Sequence, residues 1–371
     1  MSDWKVYEIM HQDRKVARIS GRGYCRIYYK SFMPYNLFLE EAEDIDTLVN
    51  NITNFYYWCA TRVLTLDRQY AKEILGSIGM RQAVTDRDRA EIALSYRCAS
   101  LTDVFWVRCS GETVSFAEIN LNENHLDNTF MDISLRGRQY SVQNEMLARD
   151  LSTGGCFPKA WQRTEEGFCL LKDGGEDAVE RELLASQISR CFAVPQVLYE
   201  RGYFDGEKVS VSGNMTSKEY SIASMEAFQI YAMNHNKDIR KYILRLDKYN
   251  YYMMNIVDYL VGNTDRHWGN WGVLVKNSNN RPVRLHDLMD FNQAFHAYDD
   301  LEGANCQTMF GEHISQREAA RRAVGEIGLN QVKEVKEELF EELPQYYEMF
   351  CRRLELLRVG KPEDERVLRK H

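Results

Sequence analysis

The chain has 371 residues, 44% hydrophobic and 27% charged, a globular composition that excludes wholesale disorder. Its formal charge of −8 argues against a general nucleic-acid binder, which is usually basic overall, so no direct nucleic-acid binding is expected. No stretch reaches the roughly 18 apolar residues that cross a bilayer, and no membrane association is expected.

Residues 1 to about 145 read as an N-terminal mixed α/β accessory domain. Met1 to Lys5 has no apolar signal core, and none of the nine cysteines sits in a Cys-x-x-Cys pair, so free thiols in a reducing cytoplasm are expected. Val16 to Ile19 and Cys25 to Tyr29 are predicted as short strands around the turn Gly21-Arg22-Gly23. Ala42 to Cys59 reads as helix, and Ser100 to Arg108 as a turn leading into a strand.

Residues 146–214 change character. Ser152-Thr153-Gly154-Gly155 is a polar, flexible loop, and Gly167 to Lys172 reads as a strand ending in a turn at Asp173-Gly174-Gly175. Leu183, Leu184, Ile188 and Cys191 recur at helical spacing. Further strands are predicted at Gln196 to Tyr199 and Lys208 to Val211. Residues 215–371 are mostly helical. Lys241 to Leu260 has a buried-helix pattern, Ser315 with Glu318 forms a capping box, and Val332, Val335, Leu339 and Leu343 form an amphipathic stripe broken by Pro344.

The segment from Val261 to Leu288 carries the chemistry. Asp265 and Asn270 lie five apart in a loop rich in Gly, Trp and His. A hairpin of Val273 to Val275 with Val283 to Leu285 brings Asp287 back beside Asn270. Phosphoryl transfer is mostly positioning and charge neutralisation. Mg²⁺ takes hard oxygen ligands and keeps waters and substrate phosphates, so one Asp and one Asn or Asp suffice as protein ligands. Asp265 suits the orientation of an incoming hydroxyl, and Asn270 and Asp287 suit the metal. The bland alternative is turn chemistry, with Asp265 and Arg266 as a surface pair and His267 as a core histidine.

Asn263-Thr264-Asp265-Arg266-His267-x-x-Asn270, followed by Leu285-His286-Asp287, resembles the catalytic and metal-binding motifs of the HipA-like serine/threonine kinases. These are bacterial toxin-type kinases, distantly similar to phosphatidylinositol kinases. The resemblance covers roughly residues 145–330 and is strongest over 255–290. It implies an α+β, bilobal protein-kinase-like fold, with a small β-rich lobe over 146–214 and a larger helical lobe over 215–371. It implies an ATP- and Mg²⁺-dependent kinase in which Asp265 is the catalytic base, Asn270 and Asp287 hold metal, and His267 is structural. Asp290, in Asp290-Phe291-Asn292, is the alternative to Asp287.

The same resemblance gives Lys172 to the ATP phosphates, with Glu182 or else Glu180 as its carboxylate. It gives Thr153, Gly154 and Gly155 to a phosphate-covering loop open to autophosphorylation, and Val211 and Gly213 to adenine. It implies a protein substrate and allows an antitoxin or regulatory partner. A small-molecule kinase and a non-catalytic nucleotide-binding module are the competing functions.

Overall fold

Four strands open the chain: β1 (Val6–His11), β2 (Arg14–Ser20), β3 (Cys25–Ile27) and β4 (Phe105–Cys109). In this computed structural model, residues 5–63, 85–121, 158–165, 167–296 and 298–358 are described. The four strands form an antiparallel sheet in the order β3-β2-β1-β4. Tyr7, Ile9, Ala17, Ile19 and Val107 alternate onto one face, as the two-residue period of a half-buried strand requires. They pack against Phe55 and Trp58 of helix α1 (Ile45–Ala60) and Ala90 and Ala93 of helix α2 (Asp86–Ser95). Asp44 caps α1 by accepting the Thr47 amide at 2.9 Å. The predicted strands and the first helix are therefore present, with α1 starting three residues later than its sequence signal.

The chain divides into two compact units. The first contains residues 1–173, 213–237 and 274–282, and so holds the sheet above. It also holds the short helix α3 (Phe116–Ile119) and the hairpin of β5 (Lys159–Thr164) and β6 (Gly167–Lys172). Strand β9 (Tyr220–Ser224) and helix α5 (Met225–Asn234) complete it.

The second unit contains residues 174–212, 238–273 and 283–371. It begins with helix α4 (Glu176–Ser189), which buries Leu183, Leu184 and Ile188 as their spacing predicts. A hairpin of β7 (Tyr199–Phe204) and β8 (Glu207–Gly213) follows. Its central member is helix α6 (Ile239–Val261), which packs on helix α7 (Gln316–Ile327) and helix α8 (Tyr347–Arg358). Strands β10 (Gly272–Lys276) and β11 (Arg281–Leu285) form the predicted hairpin, whose base lies in this unit. Among the described residues every cysteine is a free thiol, and no helix is long and apolar enough to cross a membrane.

The stripe from Val332 to Leu343 does not form an α-helix. Gly328, at φ 79°, stops α7, and the helical turn within the stripe is 3-10, Glu337–Phe340. The backbone of this segment pairs elsewhere: the amides of Val332 and Lys333 donate to Cys191 O at 2.8 and 3.2 Å. Long-range backbone pairing supplies the partners that a local helix would have supplied. The Ser315 cap is half of a capping box. Its hydroxyl accepts the Glu318 amide at 3.1 Å, but the Glu318 side chain turns to Arg321 and Arg322.

Helix α6 is shaped by two residues. Asp247 leaves the helical region (φ −159°) and its carboxylate accepts both the Asn250 amide and the Leu285 amide of β11. At the other end Gly262 adopts the left-handed conformation that closes a helix (φ 59°, ψ 41°). A Cβ on Gly262 would sit 2.4 Å from the Tyr298 ring, whereas one on Gly206 (φ 83°) would meet nothing within 4 Å. Gly206→Ala should therefore cost only left-handed strain, about 1–2 kcal/mol. Gly262→Ala should cost more, because the ring clash adds to the same strain. Urea midpoints of the two variants measure the difference, and equal losses would contradict the packing described.

Candidate functional site

The loop after α6 is held by one buried ion pair. Asp258 occupies the last turn of α6, and Arg266 reaches back to it with Nε and Nη2, each 2.9 Å from a carboxylate oxygen. Both side chains are buried, at 3% and 6% exposure, so the pair acts where water screens little. Arg266 Nη1 donates to Asn270 O at 3.0 Å and also to Met289 O. The guanidinium lies over the Phe291 ring at 5.3 Å. One side chain thus fixes the helix end, the far end of the loop and the segment that follows β11. Burial works against the Arg266 charge, but Asp258 and then Asp290 hold its pKa above the usual value.

Asn263 supports the turn from inside. Its Nδ2 donates to Asp258 at 3.2 Å and to Asp290 O at 3.3 Å, and its carbonyl accepts Gln316 Nε2 at 2.6 Å. Gln307 Nε2 donates to Thr264 O at 2.8 Å, and Trp268 Nε1 donates to Gln307 O at 3.0 Å. The loop is therefore seated on the segment that leads into α7.

Asp265 is half-buried, and burial pushes its pKa up. His267 and Arg266 oppose that shift, while the negative charge of Asp290 adds to it. Asn270 Nδ2 donates to Asp265 O at 2.8 Å, which engages the nitrogen end of the carboxamide and turns its oxygen away from that bond. His267 Nδ1 accepts the Gly269 amide at 3.0 Å, a loop-shaping role.

The two acids after β11 differ in surroundings. Asp287 accepts Arg284 Nη1 at 2.6 Å in a partly exposed pair. Asp290 sits in the left-handed region (φ 61°), unusual for a residue with a side chain. That conformation is clamped: its amide donates to Tyr199 Oη at 2.9 Å and its carbonyl accepts Asn263. The next amide, of Phe291, donates to Glu182 at 3.3 Å. Held strain of this kind collects at functional positions. Beside them His286 is fully enclosed, and burial pushes its pKa down to about 4, so the ring is neutral.

Glu182 and Glu180 separate cleanly. Glu182 is buried and accepts Ser210 Oγ at 2.5 Å as well as the Phe291 amide. Glu180 is held by Arg201 at 2.6 Å and Lys208 at 3.2 Å from the neighbouring hairpin. Val211 lies within β8 opposite Glu200, and its side chain covers Gly202, where a Cβ would come within 2.5 Å of it. Gly213 ends β8 and is exposed. Lys172 closes β6 in the first unit and is buried. Thr153, Gly154 and Gly155 lie outside the described residues.

Second-unit residues Glu182, Asp265, Asn270 and Asp290 are thus linked through one framework, while Asp287 is engaged with Arg284. Asp258 and Tyr199, which sequence reasoning passed over, are parts of that framework. Asp258 had a signal: a carboxylate eight residues before Arg266 on an otherwise apolar helix end. Among the described residues no group of three or more His, Cys, Asp or Glu side chains is placed to hold a metal ion.

Removing Asp258 alone leaves the Arg266 charge buried without its main partner. Asp258→Asn is therefore predicted to cost about 3–5 kcal/mol, whereas Asp287→Asn, at a partly exposed pair, should cost under about 1 kcal/mol. Chemical denaturation of both variants checks the contrast.

No family model and no curated protein matches the chain. Two of the solved structures that resemble the chain are these. One is a chain from the Shewanella oneidensis MR-1 toxin–antitoxin complex of HipA, HipB and operator DNA. Its TM-score is 0.53 at 12% identity, covering 95% of this chain and 99% of that chain. The other is the Helicobacter pylori proinflammatory kinase CtkA, with a TM-score of 0.43 at 14% identity, covering 56% of this chain and 88% of that chain. The likeness to the toxin-system chain is a distant relationship of fold, consistent with a mixed architecture of helical and strand-rich regions.

Proposed function

We propose that the chain is an ATP- and Mg²⁺-dependent phosphotransferase acting on serine or threonine hydroxyls of a protein. The observation that carries the reading is the loop from Asn263 to Asn270, locked by Arg266 to both Asp258 and the Asp290-Phe291 step. Preorganised polar groups are what phosphoryl transfer needs from a protein. The acceptor class rests on the sequence resemblance.

The donor set suits a magnesium–nucleotide pair. Asn270 has its amide nitrogen engaged and a hard oxygen left to offer, and Asp290 supplies a carboxylate whose charge acts on Asp265. Mg²⁺ takes much of its shell from phosphate and water, so two protein oxygens suffice. When bound, the metal would neutralise phosphate charge during transfer.

In this reading Asp265 orients the acceptor hydroxyl and takes its proton late, and the metal-holding pair is Asn270 with Asp290. Asp290 is preferred to Asp287 because its charge reaches Asp265 and its backbone is clamped. Glu182 positions the Phe291 amide, and so the Asp290 turn.

Incorporation of labelled phosphate from ATP, into the chain itself or a lysate protein, tests the assignment. Asp265→Asn and Asp290→Asn should each lower it by at least about 100-fold, of the order seen when a positioned acid–base group is lost. Asp287→Asn should retain most of it. Full incorporation in folded Asp265→Asn and Asp290→Asn would sink the reading.

A further inference from the structure

The first unit carries a charge pattern that phosphoryl transfer does not use. Between Asp13 and Glu40 the chain has six cations and no Asp or Glu, in a chain of net charge −8. The strand registers place part of this run on one surface. Arg26 of β3 lies opposite Arg18 of β2, Arg18 opposite Glu8 of β1, and Glu8 opposite Arg108 of β4. This row faces away from the core, because the flanking positions Tyr7, Ile19 and Val107 are the buried ones.

The single carboxylate in that row is already taken. Glu8 accepts Lys15 at 2.9 Å and Arg108 at 2.8 Å. The β4 side of the same face is covered, since Phe116 packs on Trp106 and Arg108 donates to Val114 O. On the β3 side Arg18 and Arg26 stand exposed and side by side, and neither meets a carboxylate among the described residues. Like charges directly opposite on paired strands repel each other, and a bound anion removes that penalty.

The neighbour on this face is aromatic. Tyr28 is 36% exposed. Lys15 and Arg26 approach its ring at 5.2 and 5.8 Å, whereas Tyr29 and Arg14 turn to Phe32 on the core side of the sheet. Guanidinium groups beside an exposed ring on a sheet surface offer two things at once: phosphate contacts and a flat face for an unstacked base. A duplex keeps its base faces hidden and uses only the first. Glu41 accepts the Ile27 amide at 2.6 Å, which sets an acidic border along the β3 edge.

We propose that this outer face of the N-terminal sheet binds single-stranded nucleic acid, with phosphates on Arg18 and Arg26 and a base against Tyr28. The proposal is independent of the phosphotransferase reading.

Fluorescence anisotropy of a labelled oligo(dT) with the full chain, across a salt series, tests it. Binding should weaken with salt. The double variant Arg18→Ala, Arg26→Ala should bind about tenfold more weakly, with a log–log salt slope shallower by about 1.4, roughly 0.7 per lost phosphate contact. Tyr28→Leu should weaken binding and leave the slope unchanged. Arg18→Lys with Arg26→Lys should keep the slope, which separates lost charge from lost folding. No binding, unaltered binding in the variants, or preference for the matching duplex or for phosphatidylserine vesicles would overturn the proposal.

Discussion

The second unit depends on a guanidinium placed where water cannot solvate it. Arg266 must be neutralised by Asp258 and must spend its remaining donor on backbone carbonyls, because an unpaired buried charge would cost several kcal/mol. Satisfying that requirement draws three chain segments together: the last turn of α6, the loop to Asn270, and Met289 with Phe291. The geometry of Asp265, Asn270 and Asp290 follows from this. Arg353 of α8 plays a related part at the same helix end. It is buried, donates to Tyr259 O at 2.7 Å and Asp300 O at 2.8 Å, and lies over the Tyr298 ring at 4.0 Å. A cation at the carbonyl end of a helix is favoured by the helix dipole.

Local patterns were legible in the sequence and long-range demands were not. The strand–turn–strand of β2 and β3, the helical spacing of Leu183 to Ile188, and the hairpin after Trp271 depend on neighbours in the chain, and all are present. The loop from Asn263 to Asn270 was visible as a motif. Its support was not, because Arg266 looks like a surface partner for Asp265 until burial shows it turned to Asp258. The segment after α7 misled for the same reason. Its apolar period is helical, but the amides of Val332 and Lys333 at its start go to Cys191 O.

Two acids three residues apart, Asp287 and Asp290, differ in what surrounds them. Spacing from the β11 strand favours Asp287. The proposed reading takes Asp290, where the left-handed turn is held by Tyr199 and Asn263 and is followed by an amide fixed on Glu182. None of those partners is near in sequence. Charge distribution makes a parallel point. In the second unit Arg240, Arg317, Arg321 and Arg322 are each paired with a glutamate. On the first unit's outer sheet face, Arg26 lies against the Tyr28 ring and opposite Arg18, so a net charge of −8 conceals a local cationic surface.

The central claim is that Asn270 and Asp290 form the metal-holding pair beside Asp265. A crystal structure of the chain with a non-hydrolysable ATP analogue and Mg²⁺, the metal verified by exchange with Mn²⁺ and its anomalous signal, tests it most directly. The account predicts metal bound by the Asn270 carboxamide oxygen and the Asp290 carboxylate, with Asp287 still on Arg284. Metal on Asp287 with Asp290 unengaged, or nucleotide bound away from Asp265, would contradict it.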